Sequence, residues 1–194
     1  MSQLELVKQL RDSTGASMMA CKKALEENGD DYQKALDHLR KKGAAKAMER
    51  GEKVTGEGVV MSYLHSNGRL GAMIQLGCET DFVARNETFI ALAKDLAMQV
   101  AANNPLVLSP EDIDSNLIDK EKEIWTAQLK EEGKNDTMIE QILENKAKKF
   151  REENSLIKQT FLKNLDITVE QLMLDSVNKM GENVRIVKFA RFSF

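Results

Sequence analysis

Residues Gly58–Leu76 read GVVMSYLHSNGRLGAMIQL, and this run decides the fold. Two apolar stretches flank Ser66-Asn67-Gly68, where Asn and Gly both tolerate positive φ. The flanks, Gly58 to His65 and Leu70 to Leu76, therefore read as the two strands of a hairpin. Directly after it comes Gly77-Cys78-Glu79-Thr80-Asp81-Phe82-Val83-Ala84-Arg85-Asn86. This run starts where the second strand ends. It stops where Asn86 can cap an amphipathic helix bearing Phe89, Ile90, Leu92, Ala93, Leu96, Ala97 and Val100. Asn103-Asn104-Pro105 ends that helix. Two readings of Phe82 stand. Thr80 or Asp81 can cap a short turn with Phe82 tucked into the core. Alternatively, the strand end holds the aromatic ring and presents it to another molecule. The residues alone favour burial, and support no more than an interaction loop as the second reading.

Working toward the N-terminus, three short helices are expected in residues 1–43. Ser2 can cap a helix carrying Leu4, Val7 and Leu10, and Thr14-Gly15-Ala16-Ser17 reads as a turn. The second helix carries Met18, Cys21, Ala24 and Leu25 on one stripe and ends near Asn28-Gly29. Asp30, with Gln33 three residues on, resembles a capping box. The third helix buries Tyr32, Ala35, Leu36 and Leu39 and is expected to stop at Gly43. A single stripe has room for at most one of Met18 and Met19, which leaves the other as a contact candidate. Residues 44–55 are charged and alanine-rich, a helical linker with a flexible joint at Gly51. The run Met19-Ala20-Cys21-Lys22-Lys23-Ala24-Leu25 resembles a ubiquitin-associated-type three-helix domain, which implies a binding module.

Toward the C-terminus, Ser109-Pro110-Glu111-Asp112 is a helix start. A helical pair follows at about 116–153, turning at Gly133-Lys134-Asn135. Ile124, Ala127 and Leu129 are expected to pack on Met138, Ile142 and Phe150. Thr168 caps a last helix that ends at Gly181, and Asn183 to Phe194 reads as a strand returning to the hairpin. The order of elements gives an α+β fold. It comprises the three-helix domain, the linker, and a core over 56–194 with a small antiparallel sheet packed by helices.

Composition narrows the function. The chain has 194 residues, 42% hydrophobic and 30% charged, which is globular rather than disordered. A net charge of −3 argues against a general nucleic-acid binder. Charged residues Glu5, Lys8, Arg11 and Asp12 interrupt any apolar leader, and no stretch approaches a membrane span. A cytoplasmic protein is expected, with Cys21 and Cys78 as buried free thiols. No phosphate loop is legible, and no cysteine–histidine set has metal-ligand spacing. His38 and His65 read as surface residues. Cys78 beside Glu79 and Asp81 makes a poor nucleophile, because neighbouring acids disfavour a thiolate. No catalytic residue, metal or cofactor is expected.

Three separated segments carry a family resemblance. They are Leu10–Leu25 (LRDSTGASMMACKKAL), Cys78–Asn86 (CETDFVARN) and Lys179–Ile186 (KMGENVRI). In this order they resemble the bacterial elongation factor Ts family in its short form. The resemblance implies an exchange factor that binds elongation factor Tu, both GDP-bound and nucleotide-free, and promotes GDP release and GTP uptake. It implies that Thr80, Asp81, Phe82 and Val83 insert beside the partner's Mg²⁺ site. Phe82 would wedge between partner helices, and Asp81 would disturb groups around the ion. Arg11, Met18 and Met19 match family contact positions. A homodimer is implied as well, with strand Asn183–Phe194 as its seat. No direct contact with nucleic acid or membrane is implied. An adaptor whose three-helix domain binds some other protein is the alternative from a different functional class.

Overall fold

A computed structural model describes residues 2–194, with Lys46 and Met48 described by their backbone alone. The chain divides into two compact units, one running to Met98 and resuming at Glu170–Phe194, the other Gln99–Val169.

The first unit opens with α1 (Gln3–Thr14), α2 (Met18–Glu27) and α3 (Tyr32–Gly51). Ser2 and Glu5 close a reciprocal capping box at α1, and Ser17 caps α2 through the Ala20 N–H. At α3 the cap is Asp31, which accepts from the Lys34 N–H at 3.1 Å. Asp30, the expected cap, instead takes a left-handed turn at φ 57°. Val7, Leu10, Cys21, Ala24, Leu25, Ala35, Leu36 and Leu39 form one buried cluster, and Met18 and Tyr32 pack against it. Fully burying one leucine-sized side chain contributes roughly 1.5–3 kcal/mol, so eight residues, of which four are leucines, sustain a modest core.

The expected stop at Gly43 is not observed, since α3 continues to Gly51. The glycine there serves packing. A Cβ at Gly43 would lie 2.4 Å from the Asn178 amide nitrogen. The flanking run of alanine, lysine and glutamate is strongly helix-forming and outweighs one interior glycine.

The sheet consists of β1 (Glu57–Leu64), β2 (Leu70–Cys78) and β5 (Arg185–Ser193), ordered β1-β2-β5 and antiparallel throughout. The returning strand thus pairs with the hairpin as the sequence suggests. The turn is tied by Gly68 N–H to the His65 carbonyl at 2.8 Å. Only Gly68 takes positive φ, at 67°; Asn67 instead accepts from the Arg69 N–H through its side chain. Along β2, Ala72, Ile74, Leu76 and Cys78 are buried while Met73 and Gln75 point to solvent. Val187 is the extra residue where the β2–β5 register shifts. After β2 come the one-turn α4 (Asp81–Ala84) and α5 (Glu87–Asn103).

In the second unit, α6 (Ser115–Glu131) and α7 (Asp136–Glu153) form the expected helical pair. The stripe is not the expected one. Ile118, Leu129, Ile139 and Ala147 are buried, whereas Ile124 and Met138 are exposed. Ile118, Trp125 and Leu129 share one helical face, and Trp125 meets Phe150 edge-on with centroids 6.0 Å apart. A hairpin absent from the sequence reading, β3 (Thr160–Phe161) and β4 (Asn164–Thr168), follows. Buried Gln99 is fully engaged there: its amide donates to the Thr160 carbonyl, and its carbonyl accepts from the Leu162 N–H. In the first unit, α8 (Val169–Met180), buried at Val177, leads to Gly181 and β5. Among the described residues no helix is long and apolar enough to cross a membrane.

Candidate functional site

The loop after β2 is built by its neighbours. Cys78 ends the strand with its thiol pointed at the Thr80 carbonyl, 3.2 Å away. Thr80 caps α4 by accepting from the Val83 N–H at 3.4 Å. α4 has a single turn, so residues two apart lie on opposite sides of it. Ala84 takes the buried side and Phe82 the open one, at 83% exposure. Half of the favoured reading therefore stands: Thr80 caps. The other half does not: Phe82 is outside the core, because a two-residue offset on one helical turn cannot bury both side chains.

Asp81 reaches the Arg85 guanidinium at 3.2 Å, with both groups open to water. Such an exposed pair contributes only a few tenths of a kcal/mol. Val83 is half-buried between the extremes. Asn86 caps the next helix through the Thr88 N–H at 2.8 Å.

Four residues that sequence reasoning gave no anchoring role hold this corner: Arg50, Glu79, Glu182 and Asn183. The Glu182 carboxylate accepts from the Glu79 N–H at 3.2 Å, the Thr80 N–H at 3.1 Å and the Thr80 hydroxyl at 2.7 Å. The Glu79 carboxylate accepts from the Asn183 N–H and from Arg50 Nη1, the latter at 3.1 Å. The Asn183 N–H bond, followed by the Arg50 guanidinium, holds the Glu79 carboxyl below the usual glutamate range. The Asn183 side-chain amide donates to the carbonyls of Lys53, at 2.8 Å, and Gly51, at 3.3 Å. The position read as a flexible joint is thereby tied to the loop. The available signal was the third matching segment, Lys179–Ile186, in which Glu182 and Asn183 follow the helix-ending Gly181.

Both cysteines are free and buried. Burial, then the charges of Glu182 and Glu57, push the Cys78 thiol up. The acids responsible are thus brought by the fold and are not the sequence neighbours Glu79 and Asp81.

On the three-helix domain, Met19 stands out at 76% exposure while Met18 packs inward. Arg11 is also exposed, near the end of α1. Among the described residues no three His, Cys, Asp or Glu side chains gather into a set that could hold a metal ion.

Fold and site together define a class: an α+β protein that presents an aromatic side chain on a capped, doubly anchored loop. Known sequences specify it further. The family described as Elongation factor TS matches residues 4–194. Elongation factor Ts of Syntrophomonas wolfei is 48% identical over 188 residues, covering 97% of this chain and 88% of its own. That of Thermosipho melanesiensis is 47% identical over 189 residues, covering 97% and 96%. That of Desulfosudis oleivorans is 46% identical over 188 residues, covering 97% and 95%. The chain belongs to the elongation factor Ts family, a family of translation elongation factors.

Proposed function

We propose that this chain binds elongation factor Tu·GDP, expels the nucleotide by disturbing its Mg²⁺ site, and leaves the nucleotide-free partner open to GTP. The observation that carries this reading is Phe82, a large apolar side chain 83% exposed on a turn fixed from both ends. Exposing a ring on an anchored backbone costs hydration free energy that a docked partner recovers. Burying a Phe side chain is worth roughly 1.5–3 kcal/mol. Each tenfold change in affinity is about 1.4 kcal/mol. Spent on prising partner helices apart, one ring weakens nucleotide binding by one to two decades. Displacing Mg²⁺ removes the positive charge that screens the phosphates. Asp81, one residue from the ring, disturbs the groups that surround that ion.

The chain needs no acid, base or nucleophile for this. Exchange is a coupling free energy, and nucleotide weakens the factor as much as the factor weakens nucleotide. Residues 1–43 serve as the docking domain, with Met19 and Arg11 at the contact and the inward-packed Met18 supporting it, 44–55 as its helical link, and 56–194 as the core. The protein acts in the cytoplasm as a homodimer, without touching nucleic acid or membrane.

Release of labelled GDP from purified elongation factor Tu tests the proposal. Micromolar chain is expected to accelerate release, and no acceleration would overturn it. Phe82→Ala is expected to slow accelerated release by about tenfold to a hundredfold, given the energies above, with an unchanged unfolding midpoint. An unchanged rate in that variant would remove the wedge role.

A further inference from the structure

We propose that Glu182 is a positioning residue for the exchange loop, setting the direction in which Phe82 leaves the surface. The inference rests on the reading of Phe82 given above. Glu182 lies 102 residues from Thr80 in sequence, yet its two carboxylate oxygens take three donors at the strand-to-turn corner. Oε2 accepts the successive N–H groups of Glu79 and Thr80, and Oε1 accepts the Thr80 hydroxyl. Two consecutive amides converging on one anion form a nest, an arrangement that fixes the backbone between them. Bonds to an ionised acceptor are the stronger kind.

The third bond gives Thr80 a definite task. Its hydroxyl proton is committed to Glu182, so an oxygen lone pair is left for the Val83 N–H. One relay thus runs from carboxylate to hydroxyl to the first turn of α4, whose second residue is Phe82. Thr80 faces this scaffold and acts on a partner only through the turn it caps. Gly181, at φ 71°, closes α8 and delivers Glu182 to the corner. Asn183 then grips the same corner from the other side, through the Glu79 carboxylate.

A loop held in advance spends little binding free energy on its own ordering. Loosening it should therefore lower the maximal exchange rate, with the factor still able to dock through α2. Three readouts separate this role from general support of the fold. In GDP release at saturating factor, Glu182→Ala is expected to lower the maximal rate about tenfold, equivalent to about 1.4 kcal/mol. The concentration giving half-maximal rate should move less than the rate does. In a Phe82→Ala background, Glu182→Ala should cause no further loss, because both variants disable the same ring. In the free chain, amide hydrogen exchange at Thr80 and Val83 should speed up while the buried amides of β2 keep their protection.

Unchanged exchange at those two amides would overturn the inference. So would a wild-type maximal rate in Glu182→Ala, or losses that multiply in the double variant. Wild-type chain that fails to accelerate GDP release would overturn the exchange reading instead, with the amide result still judging the anchor. Should Glu182→Ala not fold, Thr80→Val cuts the same relay from its other end and should give the same pattern. Thr80→Ser should restore the rate, and failure to do so would count against the relay.

Discussion

Asp175 of α8 is a buried carboxylate whose side chain accepts from the Gln171 amide at 2.8 Å. Burial raises its pKa above the ordinary 3.8, and the charges of Arg40 and Lys179 only partly offset this. Glu79 is the opposite case, held below its ordinary 4.5 by the Asn183 N–H and the Arg50 guanidinium. The two therefore respond to pH with opposite signs. The folded state binds the Asp175 proton more tightly than the unfolded chain does. Its ionisation costs stability as pH climbs from 3.8 through the raised value. Asp175→Asn keeps an acceptor for Gln171 and is expected to be more stable than wild type at neutral pH, the gap closing toward pH 4. Glu79 contributes stability above 4.5 that is lost as pH falls through its lowered value. Glu79→Gln is expected to be less stable than wild type at neutral pH, with that gap closing in acid. Unfolding midpoints measured across the acid range check both; matching slopes for the two variants would refute the assignment. Little of this was legible in the sequence. An Asp on a predicted helix carries no mark of burial, and a carboxylate–amide contact 104 residues apart leaves no local trace. Phe82 marks the same limit, because hydrophobicity does not say which side of a single helical turn faces out.

Elements were far more legible, because caps, turns and periodicity are local. The hairpin, the helical pair and the returning strand lie where the residue patterns put them, within a residue or two. The departures have physical causes. β3 is two residues long, too short for alternation to register. The α6 stripe runs through Ile118, Trp125 and Leu129, and Ile124, one residue and so about 100° of helical rotation from Trp125, falls off it. α3 runs past Gly43 because its flanking residues favour helix strongly. That last case can be tested by substitution. Glycine inside a helix costs about 1 kcal/mol relative to alanine, so Gly43→Ala should stabilise. The new Cβ would meet the Asn178 amide nitrogen at 2.4 Å, and that amide donates to the Leu174 carbonyl at 3.0 Å. Displacing it offsets the gain. In an Asn178→Ala background, Gly43→Ala is expected to raise stability by about 0.5–1 kcal/mol. In the wild-type background the gain should be smaller or reversed. Equal effects in both backgrounds, measured by denaturant unfolding, would show that the two side chains do not meet.

At the scale of the whole molecule, the sheet has one buried face and one bare face, and the bare face is apolar toward one end. Its outward row at one end is Leu64, Gly71 and Phe192, directly opposite one another across the three strands. Leu64 is 71% exposed and Phe192 70%, with the side-chain-free Gly71 between them leaving a notch. The next outward row places Met73 between Ser62 and Ala190, and the one beyond places Gln75 between Val60 and Lys188. A solvated antiparallel face ordinarily carries polar side chains, so contiguous exposed apolar groups signal something that covers them. The proposed homodimer supplies the cover without a further protein: under two-fold symmetry the face is its own partner, and rows of knobs and notches can interdigitate. A stable interface of this kind buries about 800 Å² on each partner, which asks for the sheet face rather than a few residues of the β5 edge. A charge at the centre separates the two arrangements. Met73→Lys sets an ammonium in the middle of the face, and symmetry places two of them in one desolvated interface. It leaves the edge amides and carbonyls of β5 untouched. Light scattering is expected to show wild-type chain at twice the monomer mass and Met73→Lys at the monomer mass, with Phe82-dependent GDP release still measurable at higher concentration. Wild-type chain at the monomer mass would dismiss the dimer. A Met73→Lys variant that stays dimeric would move the contact from the face to the edge strand.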